Sequence, residues 1–314
     1  MCLYPKLIVN RKYSGTKKNG GKPPTLTDER VRFVPVGCGQ CLECRKQKAQ
    51  QWCVRLHEEL KVTKYAYFIT LTMSPEGLKS ITDKYNIIEV NAVFGKAVRL
   101  FLERIRKDYK KSVKHWIITE LGQTESERIH GHGILFMEHA INNEWLEKYW
   151  KYGNCDTGQY CNSRSIFYIT KYMTKIDTKH KNYVPQIFCS AGLGKKYLSN
   201  FQKQKHQFNG TDTIEYYTLP NGQRVNLPIY YRNKLFSEEE REKLWINKIE
   251  DDTRYVLGVK IDKVLNSSEG YSHYEKALKK AQEKNKELGY GDDSKEWQKM
   301  DYNVTLRMLK KKKN

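Results

Sequence analysis

The stretch Arg128-Ile129-His130-Gly131-His132-Gly133-Ile134-Leu135-Phe136 constrains this chain more than any other. Its two histidines stand two residues apart inside an apolar run. Successive side chains of a β-strand point to opposite faces, so this spacing puts both imidazoles on one face with Ile134 and Phe136, and Gly131 and Gly133 on the other. Two imidazoles on one rigid strand are half of a metal site. They are equally an ordinary pair of solvent-facing histidines, and only the rest of the chain decides between these readings.

The neighbouring segments build a sheet around that strand. Lys114 to Leu121 reads as a strand joined to it by the polar loop Gly122 to Arg128, a hairpin with Glu120 near the end of its first strand. Tyr65 to Thr72 is aromatic and β-branched, a buried strand broken by Ser74-Pro75-Glu76-Gly77. Cys155 to Cys161 reads as an edge strand whose cysteines pack. Apolar residues recur at three and four in Cys44 to Val62 and in Asn91 to Tyr109, which marks amphipathic helices, and Asn143 to Trp150 is a shorter one. A further helix is expected from Ser163, as its cap, to Ile176, with Ile166, Ile169, Met173 and Ile176 in one apolar stripe. Tyr168 and Tyr172 stack one turn apart on its flank, with Lys175 close by and Lys171 beyond. That flank is either the rim of a core helix or a functional edge.

Cysteines supply a second cluster. Cys38-Gly39-Gln40-Cys41-Leu42-Glu43-Cys44 carries three, and Cys2 is available as a fourth. A tetrahedral zinc site needs four thiolate or imidazole ligands, often in closely spaced pairs, but no second Cys-x-x-Cys pair is present. Structural Zn²⁺, reduced cysteines without metal and an iron–sulfur cluster all stand as readings; the bacterial cluster spacing would need a cysteine where Lys48 stands. Met1-Cys2-Leu3-Tyr4-Pro5-Lys6 lacks the basic and apolar regions of a secretory signal, so the eight cysteines are expected to be reduced.

Composition narrows the partner. With 57 Lys+Arg against 36 Asp+Glu, the formal net charge is +21. Such an excess points to a polyanion, nucleic acid before membrane, because no apolar run is long enough to span a bilayer. Gly192-Leu193-Gly194-Lys195-Lys196 fails as a phosphate loop: the earlier glycine would fall on Cys189, and no Ser or Thr follows the lysine. Pro220-Asn221-Gly222 looks like a hairpin turn before Ile229-Tyr230-Tyr231. From Ser237 a capping box opens a charged helical tail that closes with Lys310 to Lys313, a solvated face or a phosphate-binding appendage.

The Thr-rich strand Phe68-Ile69-Thr70-Leu71-Thr72, the His-x-His strand with its preceding Glu, and the helix Tyr168-x-x-Lys171-Tyr172-x-x-Lys175 stand in the order of the three motifs of HUH-type rolling-circle initiators. The opening Met1-Cys2-Leu3-Tyr4-Pro5, Cys38 to Arg45, Gln51-Trp52, Trp150-Lys151-Tyr152-Gly153, Ser190 to Lys195 and Tyr230-Tyr231 resemble the replication initiation proteins of gokushovirus-type microviruses, small single-stranded DNA phages. The resemblance spans residues 1 to 235. In one departure, Gly131 stands where HUH proteins usually carry a bulky apolar residue between the histidines.

This resemblance implies an α+β fold with a central antiparallel sheet and flanking helices, organised as a cysteine-bearing arm and helix (1–62), a nuclease core (63–235) and a mostly helical extension (236–314). It implies that His130, His132 and Glu120 hold Mg²⁺ or Mn²⁺, that Tyr168 and Tyr172 attack DNA to form a 5′-phosphotyrosine and free a 3′-hydroxyl, and that Lys171 and Lys175 neutralise charge or position groups there. The expected partners are single-stranded DNA, supercoiled origin DNA, and a host helicase and DNA polymerase in the bacterial cytoplasm, with no membrane. The competing reading is a non-catalytic basic zinc-binding module for nucleic acid, resting on the cysteines and the charge alone.

Overall fold

In a computed structural model of the protein, residues 2–123, 127–177, 179–180, 183–291, 305–306 and 308–310 are described. The middle of the expected hairpin loop, at 124–126, and most of the expected lysine-rich end, including Lys311 to Lys313, lie outside them. The fold is α+β. Where the sequence marks three segments, the chain groups into two compact units, Met1–Lys48 with Asn200–Asn314, and Ala49–Ser199.

In chain order, the first unit opens with β1 (Lys6–Val9) and β2 (Phe33–Val36), an antiparallel ribbon. Helix α1 (Leu42–Leu60) starts there and enters the second unit at Ala49. The second unit holds β3 (Tyr65–Thr72), α2 (Pro75–Tyr85), α3 (Val90–Tyr109), β4 (Lys114–Leu121), β5 (Ile129–Met137), α4 (Asn143–Tyr149), β6 (Cys155–Tyr160), α5 (Ser163–Lys171) and β7 (Ile187–Cys189). The chain returns to the first unit with α6 (Asn200–Lys205), the ribbon β8 (Tyr216–Thr218) and β9 (Arg224–Asn226), α7 (Ile229–Leu235), α8 (Glu238–Asp251), the ribbon β10 (Arg254–Val256) and β11 (Val259–Ile261), and α9 (Ser268–Glu287). Among the described residues no helix is long and apolar enough to cross a membrane.

The second unit is built on an antiparallel five-stranded sheet in the order β6-β3-β5-β4-β7. The histidine strand is therefore its centre. Alternation sends Ile129, Leu135 and Met137 to the back with Ile69, Leu71 and Ile117, where they share a core with Phe94, Val98 and Phe101 of α3 and Leu146 of α4. The front carries the histidines and, below them, Ile134 and Trp116, both fully buried, with Trp52 of α1 5.9 Å from the Trp116 ring. Gly131 and Gly133 lie on the back face for a steric reason. A Cβ at Gly131 would come within 2.6 Å of the Phe94 ring and 2.8 Å of Ile117, and one at Gly133 within 2.6 Å of Ile117. The bulky residue usual between the histidines is replaced here by the ring of Phe94, which fills its space from the helix.

Several local expectations change. Ser74-Pro75-Glu76-Gly77 ends β3 but also starts α2, because Ser74 Oγ accepts the Gly77 N–H at 3.0 Å and proline suits the first turn. Asn162, not Ser163, caps α5; its carboxamide accepts from the N–H groups of Arg164 and Ser165, and the Asn162 backbone N–H donates to the Ser165 hydroxyl in return. That helix ends at Lys171 rather than Ile176, tightening into turns where Thr170 and Thr174 bond backbone carbonyls three and four residues back. Ile229-Tyr230-Tyr231 opens α7, and the Pro220-Asn221-Gly222 turn instead joins β8 to β9. The three-residue strand β7 is too short for its pattern to announce it. The Ser237–Glu240 capping box forms as expected.

Two outcomes follow for stability. Gly131→Val should cost about 1–3 kcal/mol in denaturant unfolding through overpacking, with part regained when Phe94→Leu is added. His57 is buried, donates Nδ1–H to Cys53 O at 2.8 Å and has no partner at Nε2, so burial holds its pKa below the usual value and the folded protein keeps it neutral. Stability from this group is complete above about pH 6.5, where an unfolded histidine titrates, and is lost as pH falls through the lowered folded value. The melting temperature should drop between about pH 7 and pH 5 and drop less steeply in His57→Gln.

Candidate active site

Three neighbouring strands assemble the site on the front of the sheet. In the β4–β5 ladder Glu120 lies opposite His130, and in the β3–β5 ladder Thr72 lies opposite His130 and Thr70 opposite His132. All of these share the front face by alternation. One carboxylate oxygen of Glu120 stands 3.4 Å from Nε2 of His130 and 3.4 Å from Nε2 of His132. The far side of each ring is occupied: His130 Nδ1–H donates to Arg128 O at 3.1 Å, and His132 Nδ1 lies 3.3 Å from Thr70 Oγ1. A proton on each Nδ1 satisfies these bonds and leaves both Nε2 lone pairs facing the carboxylate.

This donor set fits a divalent cation. Donors sharing one ion at about 2.1 Å lie about 3–3.4 Å apart, so little movement would let the three atoms coordinate together. Together with the four cysteines described below, it is one of two groups of metal-ligating side chains among the described residues. Burial alone would raise the Glu120 pKa, but hydrogen bonds from His130, His132 and Lys175, and the Lys175 charge, outweigh it and hold the carboxyl well below the usual range. Lys175 Nζ contacts the other Glu120 oxygen. Glu120 is thus ionised at any physiological pH.

The tyrosine segment lies on the same face. The Tyr172 ring stacks on the His132 imidazole, centroids 4.4 Å apart and planes 20° from parallel. Tyr168 and Tyr172 share a hydrogen bond between hydroxyls at 3.0 Å, and Phe68 of β3 stands between Tyr168 and His132 at about 6 Å from each ring. Tyr172 is partly enclosed, and burial, its bond to Tyr168 and the nearby Glu120 charge push its pKa up. Tyr168 is 52% exposed, open to a macromolecular substrate. The predicted residues Glu120, His130, His132, Tyr168, Tyr172 and Lys175 therefore converge. Lys171 does not join them: it is exposed at the end of α5, and none of the hydrogen bonds or ion pairs around Glu120 involves it.

Other residues that hold the site were not singled out from the sequence. Thr70 orients His132, and alternation along β3 from the aromatic Phe68 could have placed it beside the histidines. Trp150 Nε1–H donates to Thr72 O at 3.2 Å, steadying β3 opposite His130. Behind Glu120, the buried Thr119 hydroxyl donates to Asn91 Oδ1 at 2.7 Å and accepts from Gln186 N–H at 2.9 Å, while the Tyr183 hydroxyl donates to the same Asn91 oxygen. This network pins the end of β4. Its members come from well-separated parts of the chain and carry no common local signal.

Residues 66–177, which contain the triad, both tyrosines and both lysines, match the ORF2 family of replication-associated proteins. That stretch is a replication-associated protein domain. The chain is 26% identical over 219 residues to the "Replication-associated protein VP4" of Bdellovibrio phage phiMH2K, covering 62% of this chain and 66% of that one, just under two thirds of its length. It is 25% identical over 265 residues to the "Replication-associated protein ORF2" of Spiroplasma virus 4, covering 76% of this chain and 79% of that one. No solved structure matches it. The replication-associated domain begins at the second residue of β3 and ends just beyond Lys175, so it encloses the whole candidate site.

Proposed function

We propose that this protein initiates rolling-circle replication of a small DNA virus by cutting one strand at the origin and later rejoining it through Tyr168 and Tyr172. The observation that carries this reading is the stacking of Tyr172 on His132 with the Tyr168 hydroxyl 3.0 Å from its own. A nucleophile pair and a His-His-Glu cluster stand on one face of one sheet. The relatives named above are replication-associated proteins of phages, and the +21 charge suits a DNA partner.

In the proposed reaction a tyrosine oxygen attacks the phosphorus of the scissile phosphodiester. The bond from phosphorus to the 3′ oxygen breaks, the phenolic proton is lost, and the departing oxygen gains one to become a free 3′-hydroxyl. The tyrosine keeps the 5′ phosphate. The broken bond's energy is retained in the phosphotyrosine, so rejoining needs no nucleotide. A host polymerase extends the 3′-hydroxyl while a host helicase opens the duplex. The second tyrosine, within hydrogen-bond reach of the first, cuts the regenerated origin while the first is still loaded, and the freed 3′ end closes the unit-length circle. His130, His132 and Glu120 would hold Mg²⁺ or Mn²⁺, which when bound supplies charge stabilisation to the phosphate in flight. Thr70 keeps His132 in the ligating tautomer, and Lys175 holds Glu120 and adds positive charge.

Supercoiled DNA carrying the viral origin, incubated with Mn²⁺ and the full-length protein, should yield nicked circles with protein attached at the 5′ end and an extendable 3′ end. Tyr168→Phe/Tyr172→Phe should abolish both nicking and adduct; full nicking by that variant sinks the proposal, and salt-sensitive DNA binding by wild type without any adduct favours the non-catalytic reading. Each single Phe variant should still nick but lose circle closure. In a Mn²⁺ titration followed by electron paramagnetic resonance, Glu120→Ala should abolish tight binding, and Thr70→Val should weaken it about 10-fold as the loss of a partner behind a ligating histidine.

A further inference from the structure

The first unit contains a thiol cluster that the proposed reaction does not use. The β1–β2 pairing sets Lys6 opposite Val36, which brings the segment before β1 alongside the segment after β2. Cys2 thereby meets Cys38, Cys41 and Cys44, and all four sulfur atoms lie within 4.8 Å of one another. Cys2 and Cys41 sulfurs are 3.9 Å apart and those of Cys38 and Cys44 are 4.0 Å apart, far beyond a disulfide bond of about 2.05 Å. All four cysteines are free. Four thiolates placed tetrahedrally around one ion at about 2.3 Å stand about 3.8 Å apart, close to the spacing seen here. An iron–sulfur cluster, with metal and sulfide between its ligands, spreads its cysteines more widely.

The surroundings suit thiolates rather than thiols. Cys2 Sγ accepts the N–H groups of Tyr4 at 3.3 Å and Cys38 at 3.2 Å, and Cys38 Sγ accepts that of Cys41 at 3.3 Å. Cys41 and Cys44 stand at the start of α1, where the helix presents its positive end, and Arg45, Lys46 and Lys48 follow. The turn between the ligands needs its glycines: Gly39 takes a φ of +77°, and a Cβ on Gly37 would lie 2.9 Å from Cys44 Sγ. Soft sulfur ligands select zinc over magnesium or manganese.

From this geometry we infer that Cys2, Cys38, Cys41 and Cys44 bind a single structural Zn²⁺ that clamps the N-terminal segment to the rest of its unit. The unit's strands form only two-stranded ribbons among the described residues, and such ribbons are marginal by themselves. The cluster lies where three distant stretches join. Cys41, Leu3 and Tyr4 are buried with Ile249 of α8 and Tyr274 and Leu278 of α9. The Leu42 N–H donates to the buried Asn285 Oδ1 at 2.8 Å, and Gln282 Nε2 donates to Leu3 O at 2.9 Å. A metal cross-link at this junction removes chain freedom from the unfolded state, as a disulfide does in oxidising compartments.

The test is elemental analysis of untagged full-length protein purified under reducing conditions. Wild type and His130→Ala/His132→Ala should each carry stoichiometric zinc, while Cys38→Ser/Cys41→Ser should lose it. Because the cysteine variant could fail to fold, cobalt exchange into wild type provides an independent readout: the intense near-ultraviolet thiolate-to-cobalt absorption of a tetrahedral four-sulfur site is expected. Wild type without stoichiometric zinc, iron in its place, zinc that follows the histidines instead of the cysteines, or a cobalt form without thiolate absorption would each overturn the assignment. None of these outcomes depends on whether the protein cuts DNA.

Discussion

The backbone ladders on either side of β5 are the constraint on which the candidate site depends. The ligand atoms and their supporting hydroxyl come from three strands, and they meet only because Glu120 and Thr72 both lie opposite His130, and Thr70 opposite His132. A slip of one residue in either ladder would send one strand's contribution to the other face. What holds the register is packing on the back. Gly131 and Gly133 remove the side chains that would meet Phe94 and Ile117, so α3 can press onto the sheet directly behind the histidines. The functional face is polar and half-open, and the stability that keeps it in place is supplied by the apolar face behind it.

Electrostatics follow from that placement. Glu120 is enclosed among donors, which overcomes the cost of burying a carboxylate and keeps it charged. The same charge, with burial and the bond to Tyr168, raises the pKa of Tyr172, so the tyrosine stacked on His132 is a weaker acid than a free one in the absence of a cation. The exposed and the enclosed tyrosine share one hydrogen bond, which gives the pair chemically unequal members despite their spacing of one helical turn. The termination of α5 at Lys171 matters here, since it leaves Tyr172 at the helix boundary and lets Lys175 return to Glu120.

The first unit follows a different logic. Its described sheets are two-stranded, and its core gathers the N-terminal arm with α8, α9 and the short stretch containing Leu306 and Leu309. Segments that read separately as an arm and a charged tail bury their apolar residues against each other. The cysteine cluster lies at that junction, where a small core gains most from a cross-link.

The sequence alone determined the elements whose signals are local. Period-two patterns set the bounds of β3 and β4 as the structure has them, three-and-four spacing marked α1 and α3, and His-x-His required two imidazoles on one face. It also marked Glu120, the tyrosine pair and all four clustered cysteines as residue types suited to chemistry, because ligands and nucleophiles are few in kind. Tertiary structure decided what depends on distant partners: the joining of arm and tail in one unit, the purpose of Gly131, the exclusion of Lys171 from the bonds around Glu120, and the supporting roles of Thr70, Asn91, Thr119 and Tyr183. Spacing along a chain specifies which face a side chain takes. Which side chain it meets there is set by ladder register and by the packing of helices far away in sequence.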